Sequence, residues 1–370
     1  MIIRTFVRTA FSLSPFKGKI VFQSKPDFYD NPRILFEKMV EKGICDDNCV
    51  WIAETREGLG RIRSQGYQVV PAFKKMELFR TLLSCSDFVT SMTIPPWWKS
   101  KGQRVLFVDH GLPVGKSIGS FLQKMEIKFD HVIAPSEFFR LIYAALYSLS
   151  PERVHVTGSP REDIIFHSSP AKAREHIYEL THRNPEDYSS VILYVPTFRD
   201  YDRNFLNRML SLLKRNFFEL MEKENILFLI KPHLIGDAPS HAMNFGHSVL
   251  VDVGKMIRRG WTIYDFLRAI DLMITDYSSS WAEFLLLDEP IIFFLPDLDE
   301  YREKRGLIYE PYTEWVPGPT VMDPKILGQT AIRMLEDRRL FLKKRRWMRS
   351  LFFKFYDGRS TDRIIDLFWG

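Results

Sequence analysis

The stretch Asp271-Leu-Met-Ile-Thr-Asp-Tyr-Ser-Ser-Ser-Trp-Ala-Glu-Phe-Leu-Leu-Leu-Asp-Glu-Pro-Ile-Ile-Phe-Phe294 reads as strand, turn, helix, strand. Leu272 to Ile274 is a short apolar run of the kind that fills a buried parallel strand. Thr275-Asp276-Tyr277 breaks it. Ser278, Ser279 and Ser280 then offer N-cap hydroxyls to a helix over Trp281 to Leu287, which Asp288-Glu289-Pro290 closes before a second strand, Ile291 to Leu295. A serine-rich helix start at the carboxyl end of a parallel strand aims backbone N–H groups and a positive dipole end at a ligand, and in open α/β sheets ligands arrive at that end. Two readings stand side by side: an anion site, or a helix merely capped by serine.

The same alternation runs along the chain. Strands are expected at Lys19–Gln23, Val50–Ala53, Tyr67–Pro71, Phe88–Met92, Gln103–Val108, His131–Ala134 and Val154–Val156, with helical patterns between them. A polar helical stretch, 171–189, reads as a linker. A second set follows at Val191–Val195, Ile226–Ile230 and Ser248–Val253, with helices at about 204–222, 262–269, 323–334 and 338–355. Strands alternating with helices make βαβ units and parallel sheets. The chain therefore divides into a basic N-terminal segment (1–18), a first α/β domain (19–170), the linker, a second α/β domain (190–350), and a C-terminal helix (351–370) that returns to the first domain.

The 370 residues carry 45% hydrophobic and 26% charged side chains, enough to bury two ordinary cores. The net charge of +6 favours an anionic partner: a nucleotide, a phospholipid surface or a phosphate polymer. Cys45, Cys49 and Cys85 give no disulfide framework and suit a reducing cytoplasm, and no second pair completes a zinc site. No apolar run reaches the ~20 residues of a membrane span. Two basic and aromatic stretches read either as contacts to an anionic membrane or as packed structure: Trp97, Trp98, Lys99 and Lys101 in one loop, and the helix around 338–354. The charge is accompanied by no nucleic-acid motif. Gly115-Lys116-Ser117 ends like a P-loop, but His110 stands where its first glycine belongs.

Chemistry gathers at the carboxyl ends of the expected strands. His110 follows a strand of the first domain and His233 a strand of the second. Histidine trades a proton near neutrality. Arg161, Arg199, Lys231 and the serines 278–280 supply positive and hydrogen-bonding groups. Moving a phosphoryl-type group to an alcohol needs a base for the hydroxyl and such groups on the phosphate oxygens.

Six motifs occur in order: His110-Gly-Leu-Pro113, Gly158-Ser-Pro-Arg161, Tyr194-Val-Pro-Thr-Phe-Arg199, Lys231-Pro-His233, Ile274-Thr-Asp-Tyr-Ser-Ser279 and Leu287-Asp-Glu-Pro-Ile-Ile-Phe293. Asp27 to Arg33 (DFYDNPR) opens the series and Tyr356-Asp-Gly-Arg-Ser-Thr-Asp-Arg363 closes it. The ordered set resembles the CDP-glycerol glycerophosphotransferases of teichoic acid synthesis, over residues 19 to 370. The resemblance implies a GT-B fold: two Rossmann-like parallel-sheet domains facing a central cleft, with the donor nucleotide in the C-terminal one. It implies attack of an acceptor hydroxyl on the glycerol-bearing phosphorus of CDP-glycerol or CDP-ribitol, with CMP leaving. His110 would be the general base, and His233 would stabilise the phosphate or leaving group. Arg199, Lys231, Thr275, Ser278, Ser279 and Arg161 would hold the donor, without a metal or other cofactor; Asp276 and Glu283 are further candidates. The acceptor would be a lipid-linked saccharide or polyol-phosphate chain at the cytoplasmic face of the membrane. In two places the sequence departs from the family pattern. The glycine after the His110 motif is Gly119, nine residues on rather than eight, and Glu283 replaces an aspartate. A length of about one catalytic module points to priming or single addition. A nucleotide-sugar glycosyltransferase would share this fold, and a non-catalytic polyanion-binding protein would share the charge.

Overall fold

The computed structural model describes residues 18–45, 47–95, 98–99, 102–115, 129–233 and 246–370. Residues 1–17 of the basic N-terminal segment, Trp97, Lys101 and Lys116 lie outside them.

Two parallel sheets organise the chain. The first holds β1 (Lys19–Gln23), β2 (Cys49–Ala53), β3 (Val69–Pro71), β4 (Cys85–Thr90), β5 (Arg104–Phe107), β6 (His131–Ala134) and β7 (Val154–Val156), in the order β3-β2-β1-β4-β5-β6-β7. The second holds β8 (Ser190–Val195), β9 (Ile226–Ile230), β10 (Ser248–Leu250), β11 (Leu272–Thr275), β12 (Ile291–Phe294) and β13 (Thr320–Val321), in the order β10-β9-β8-β11-β12-β13. Every ladder is parallel. In each sheet the chain reverses direction of travel once, between β1 and β4 and between β8 and β11. Such switch points are where doubly wound sheets open a crevice for ligands.

The apolar runs set this arrangement. All five residues of β9 (ILFLI) are buried, as covering a parallel strand on both faces requires. The helix Phe205–Lys223 repeats Met209, Leu213, Phe217 and Met221 every four residues, and that stripe lies on Phe228 and Ile230 of β9. In the first domain Phe22, Phe28, Phe36, Trp51 and Tyr67 interlock as mostly edge-on rings.

The C-terminal helix Ser360–Trp369 buries Ile364 and Ile365 in that same first-domain cluster. Asp163 fixes its start, accepting from Ser360 N at 2.8 Å, Thr361 N at 2.7 Å and Thr361 Oγ1 at 2.6 Å. Gly158 has φ +82°, and a Cβ there would stand 2.2 Å from Ser360 Oγ, so the glycine of Gly158-Ser-Pro-Arg161 makes room for the closing motif.

The helical pattern in the stretch read as a linker is the helix Pro170–Thr181, with Ala173, Ile177 and Leu180 buried. Several expectations change. Residues 262–269 form two 3₁₀ turns, because the reciprocal capping box of Thr262 and Asp265 closes a single turn. Cys45 and Cys49 are disulfide-bonded, with Cα atoms 5.0 Å apart, while Cys85 is buried and reduced. An odd cysteine count says nothing about a local four-residue loop, so the compartment argument built on reduced cysteines falls. Trp98 is buried against Phe88, ring centroids 6.0 Å apart, and Lys99 pairs with Asp130 at 2.6 Å. Trp98 is thus a core residue rather than a surface one, and Lys99 is held in an ion pair. No helix among the described residues is long and apolar enough to cross a membrane.

Candidate active site

The His110 turn is tied from several directions. Asp109 follows β5 with φ +47°, a left-handed conformation that Asp tolerates better than most residues. Its Oδ1 accepts from His110 N at 2.6 Å and from Gly111 N at 3.3 Å, and its Oδ2 accepts from the Tyr143 hydroxyl. The Asp109 carbonyl accepts from Asn31 Nδ2 at 3.0 Å and Arg161 Nη2 at 3.2 Å; Asn31 Nδ2 also reaches Val108 O at 2.7 Å.

These bonds present an exposed imidazole, with 70% of the His110 side chain open to solvent. Its Nδ1 lies 3.1 Å from Ser91 O, at the end of β4. A carbonyl oxygen only accepts, so Nδ1 carries the proton and Nε2 is left as the base. Asp109 Oδ1 stands 3.8 Å from Nδ1, beyond a hydrogen bond.

The second half-site comes from the ends of β8, β9 and β11. Asp276 accepts from Thr197 N at 2.9 Å, Thr197 Oγ1 at 2.6 Å and Tyr277 N at 2.6 Å, which knots the β8 and β11 loops together. Arg199 is 1% exposed. Its Nη2 reaches Asp276 Oδ2 at 2.9 Å, its Nε reaches Asp297 Oδ2 at 2.9 Å and its Nη1 reaches Thr197 O at 2.7 Å. The guanidinium lies 3.9 Å from the Phe205 ring centroid and 4.6 Å from that of Tyr301. Burial alone would lower its pKa, but Asp276 and then Asp297 outweigh that and hold it above the ordinary value. The Thr275 hydroxyl, fully buried, donates to Val195 O at 2.9 Å and so stitches β11 to β8.

Ser278 and Ser279 are half-buried. Ser279 sits in helical conformation and makes no side-chain cap bond, whereas Ser278 Oγ accepts from Ser280 N at 3.4 Å; the helix is a five-residue turn, Ser280–Phe284, continued by a 3₁₀ turn. Ser278 Oγ lies 3.3 Å from Ser280 Oγ. Lys231 is buried, its Nζ 3.2 Å from Pro232 O, and burial pulls its pKa down to about 8. His233 is exposed and stacks on Phe198, ring centroids 5.7 Å apart.

The two half-sites meet. A Cβ on Gly111 would stand 2.6 Å from Ser279 Oγ, and one on Gly115 would stand 2.3 Å from Tyr277 O. Glycine at these positions brings the His110 turn against the serine turn. Arg161, 2% exposed, and Glu283, also 2% exposed, lie beneath this junction with their charged atoms 3.7 Å apart. Burial raises the Glu283 carboxyl to about 7 despite the pull of Arg161.

Of the residues expected from sequence, His110, Ser278 and Ser279 are thus brought to one place. Arg199, Thr275, Asp276 and Arg161 are spent on internal bonds. Sequence reasoning missed Asn31, Ser91, Asp109, Tyr143 and Asp297. Asn31 and Asp109 stood within or beside quoted motifs; Asp297 lies 98 residues from Arg199, and only the fold joins them.

The family model for CDP-glycerol:poly(glycerophosphate) glycerophosphotransferase matches residues 5–370. The chain belongs to this family. Among its relatives, a teichoic acid poly(ribitol-phosphate) polymerase of Bacillus spizizenii is 27% identical over 98% of this chain and 58% of its own length. A teichoic acid glycerol-phosphate transferase of Staphylococcus aureus is 25% identical over 95% of this chain and 92% of its own. The chain spans 58% of the length of the first relative and the same share of a Bacillus subtilis teichoic acid glycerol-phosphate primase. Among solved structures, the wall teichoic acid polymerase TagF superposes with a TM-score of 0.79 at 19% identity, over 98% of this chain and 92% of that one. That likeness carries the fold: this family member has two Rossmann-like domains in the GT-B arrangement, as the motifs implied.

Proposed function

We propose that the protein moves glycerol phosphate, or a related polyol phosphate such as ribitol phosphate, from its CDP carrier to a hydroxyl of a lipid-linked or polymeric acceptor in teichoic acid or similar cell-surface polymer synthesis. The observation that carries this reading is the exposed Nε2 of His110, set by Ser91 O and placed on a turn that abuts Ser279. The first domain receives the acceptor and the second the donor. His110 Nε2 takes the proton from the acceptor hydroxyl as its oxygen attacks the polyol-bearing phosphorus. The bond from that phosphorus to the CMP oxygen breaks. Ser278, Ser279 and Lys231 hydrogen-bond the phosphate oxygens, and His233 steadies the charge that builds on the leaving CMP. Arg199 and Asp276 act one layer beneath, by holding the serine turn in place.

A peripheral position at the cytoplasmic face of the membrane completes the reading. The helix Leu342–Phe352 supports it, since Trp347 is 55% exposed beside Lys343, although Arg346 and Arg349 are partly engaged by Asp288. Amphipathic basic helices with an outward Trp favour anionic lipid. The function is tested by a thermal-shift panel of CMP, CDP-glycerol, CDP-ribitol, UDP-sugars and GDP-sugars. A ligand at 100 times its Kd adds about 2.7 kcal/mol to the folded state. Cytidine ligands alone should stabilise the protein, and Ser278→Ala with Ser279→Ala should reduce that shift. Stabilisation by a UDP- or GDP-sugar instead would make it a glycosyltransferase.

A further inference from the structure

Arg161 opens the helix Pro160–His167 at the mouth of β7, and its guanidinium touches both domains. On the first-domain side it reaches Asp109 O at 3.2 Å and Asp30 Oδ2 at 3.0 Å. On the second-domain side it reaches Tyr264 Oη at 3.1 Å and Glu283 Oε1 at 3.7 Å. Its backbone N–H donates to Asn31 Oδ1 at 2.8 Å, and Asn31 Nδ2 donates to the same Asp109 carbonyl that the guanidinium holds. Arg161 and Asn31 therefore grip together the peptide that leads into His110. Glu283 belongs to the helical turn Ser280–Phe284, four residues after Ser279. The contact path from the serine turn to the His110 turn thus runs Ser279, Glu283, Arg161, Asp109, His110.

The contacts fit a structural link rather than a ligand site. Asp30, Asp109, Glu162 and Glu283 surround this one guanidinium. Its two Nη atoms are already taken up by Tyr264 Oη, Asp109 O and Asp30 Oδ2, which leaves little donor capacity for a phosphate.

We infer that Arg161 and Glu283 are positioning residues for the transfer step, a clasp across the cleft through which the donor-side serine turn sets the orientation of His110. This rests on the proposed polyol-phosphate transfer. It removes Arg161 from the donor ligands suggested by its motif. Donor affinity is then set by Ser278, Ser279 and Lys231, and turnover by whether the clasp holds His110 in line with the phosphorus. A positioning error of about 1 Å can cost on the order of 100-fold in rate.

The test measures kcat for CMP release from CDP-glycerol and CDP-ribitol in the presence of a lipid-linked polyol-phosphate acceptor, and CMP affinity by calorimetry, in the wild type, Glu283→Gln, Arg161→Lys and the double variant. Glu283→Gln keeps the side-chain shape and removes the charge that faces Arg161. The expected result is a kcat at least ten-fold lower with the CMP Kd within two-fold of wild type. The double variant should lose no more than the worse single one, because both changes break the same link. Should Arg161→Lys fail to fold, Tyr264→Phe removes the 3.1 Å second-domain contact and should lower kcat in the same selective way. An unchanged kcat overturns the clasp, and so does a parallel loss of kcat and CMP affinity, which would return both residues to the donor site. A wild type that releases CMP from neither donor contradicts the proposed function itself and takes the clasp with it. An active wild type with unaffected variants refutes the clasp alone.

Discussion

Arg199→Met should destabilise the second domain far more than it weakens donor binding. The substitution keeps an unbranched side chain of similar reach among Phe205, Tyr277 and Tyr301, and removes the positive charge between them. It deletes both buried ion pairs, to Asp276 and to Asp297, each 2.9 Å long, and leaves the two carboxylates facing an apolar thioether. Removing one partner of a buried pair costs about 3–5 kcal/mol, chiefly because the other charge stays buried without compensation. At a urea m-value of about 3 kcal/mol/M, the midpoint should fall by roughly 1–1.7 M. Equilibrium urea unfolding followed by Trp fluorescence and far-UV circular dichroism reads that shift. Calorimetry with CMP on the still-folded variant reads the site, and the affinity should fall only modestly, as the serine turn loosens. An unchanged midpoint together with a ten-fold or greater loss of CMP affinity would refute this reasoning and make Arg199 a direct donor ligand.

Lys231 should make CMP binding pH-dependent. Burial depresses its pKa from 10.5 to about 8, so its contribution to stability is present above 10.5 and lost as pH falls through 8; a bound phosphate favours the charged form and offsets that loss. CMP affinity should therefore tighten as pH falls from 9.5 to 7, and Lys231→Met should flatten the profile; an unaltered profile in that variant would remove Lys231 from the donor site. Trp98→Ala should cost ~3–5 kcal/mol in urea unfolding, as expected for a large buried aromatic, and leave sedimentation with anionic liposomes unchanged. Release from liposomes without loss of stability would restore Trp98 to the membrane surface.

Much of the fold was legible because its signal is local. The runs at Lys19–Gln23, Ile226–Ile230 and Leu272–Ile274 are short, largely apolar and bounded by turn residues, and each is a strand, the last extended by Thr275. The His110 and serine turns were legible for the same reason, since each directly follows such a run. What escaped depends on partners distant in sequence. Arg199, at the end of the Tyr194–Arg199 motif, looks like a ligand until Asp297 arrives from another loop to pair with it. The helix expected over Arg338 to Phe355 begins only at Leu342, because Phe341 adopts φ +61° while Arg345 turns inward to donate to Asp288 O, Leu340 O and Arg338 O. A run of basic residues therefore overstated the exposed charge. Trp98 likewise carries no mark of burial in its own neighbourhood, where prolines and lysines suggest a surface loop.

The central claim is that His110 Nε2 takes the acceptor proton in polyol-phosphate transfer. Its most direct measurement is CMP release from CDP-glycerol and CDP-ribitol, with a lipid-linked polyol-phosphate acceptor, by wild type and His110→Ala, each checked for CMP affinity by calorimetry. The account predicts acceptor-dependent CMP release by the wild type, and a rate lower by about 10²–10⁴-fold in His110→Ala with CMP affinity nearly unchanged. Equal rates in the two proteins, or release by neither with any CDP-polyol, would contradict it.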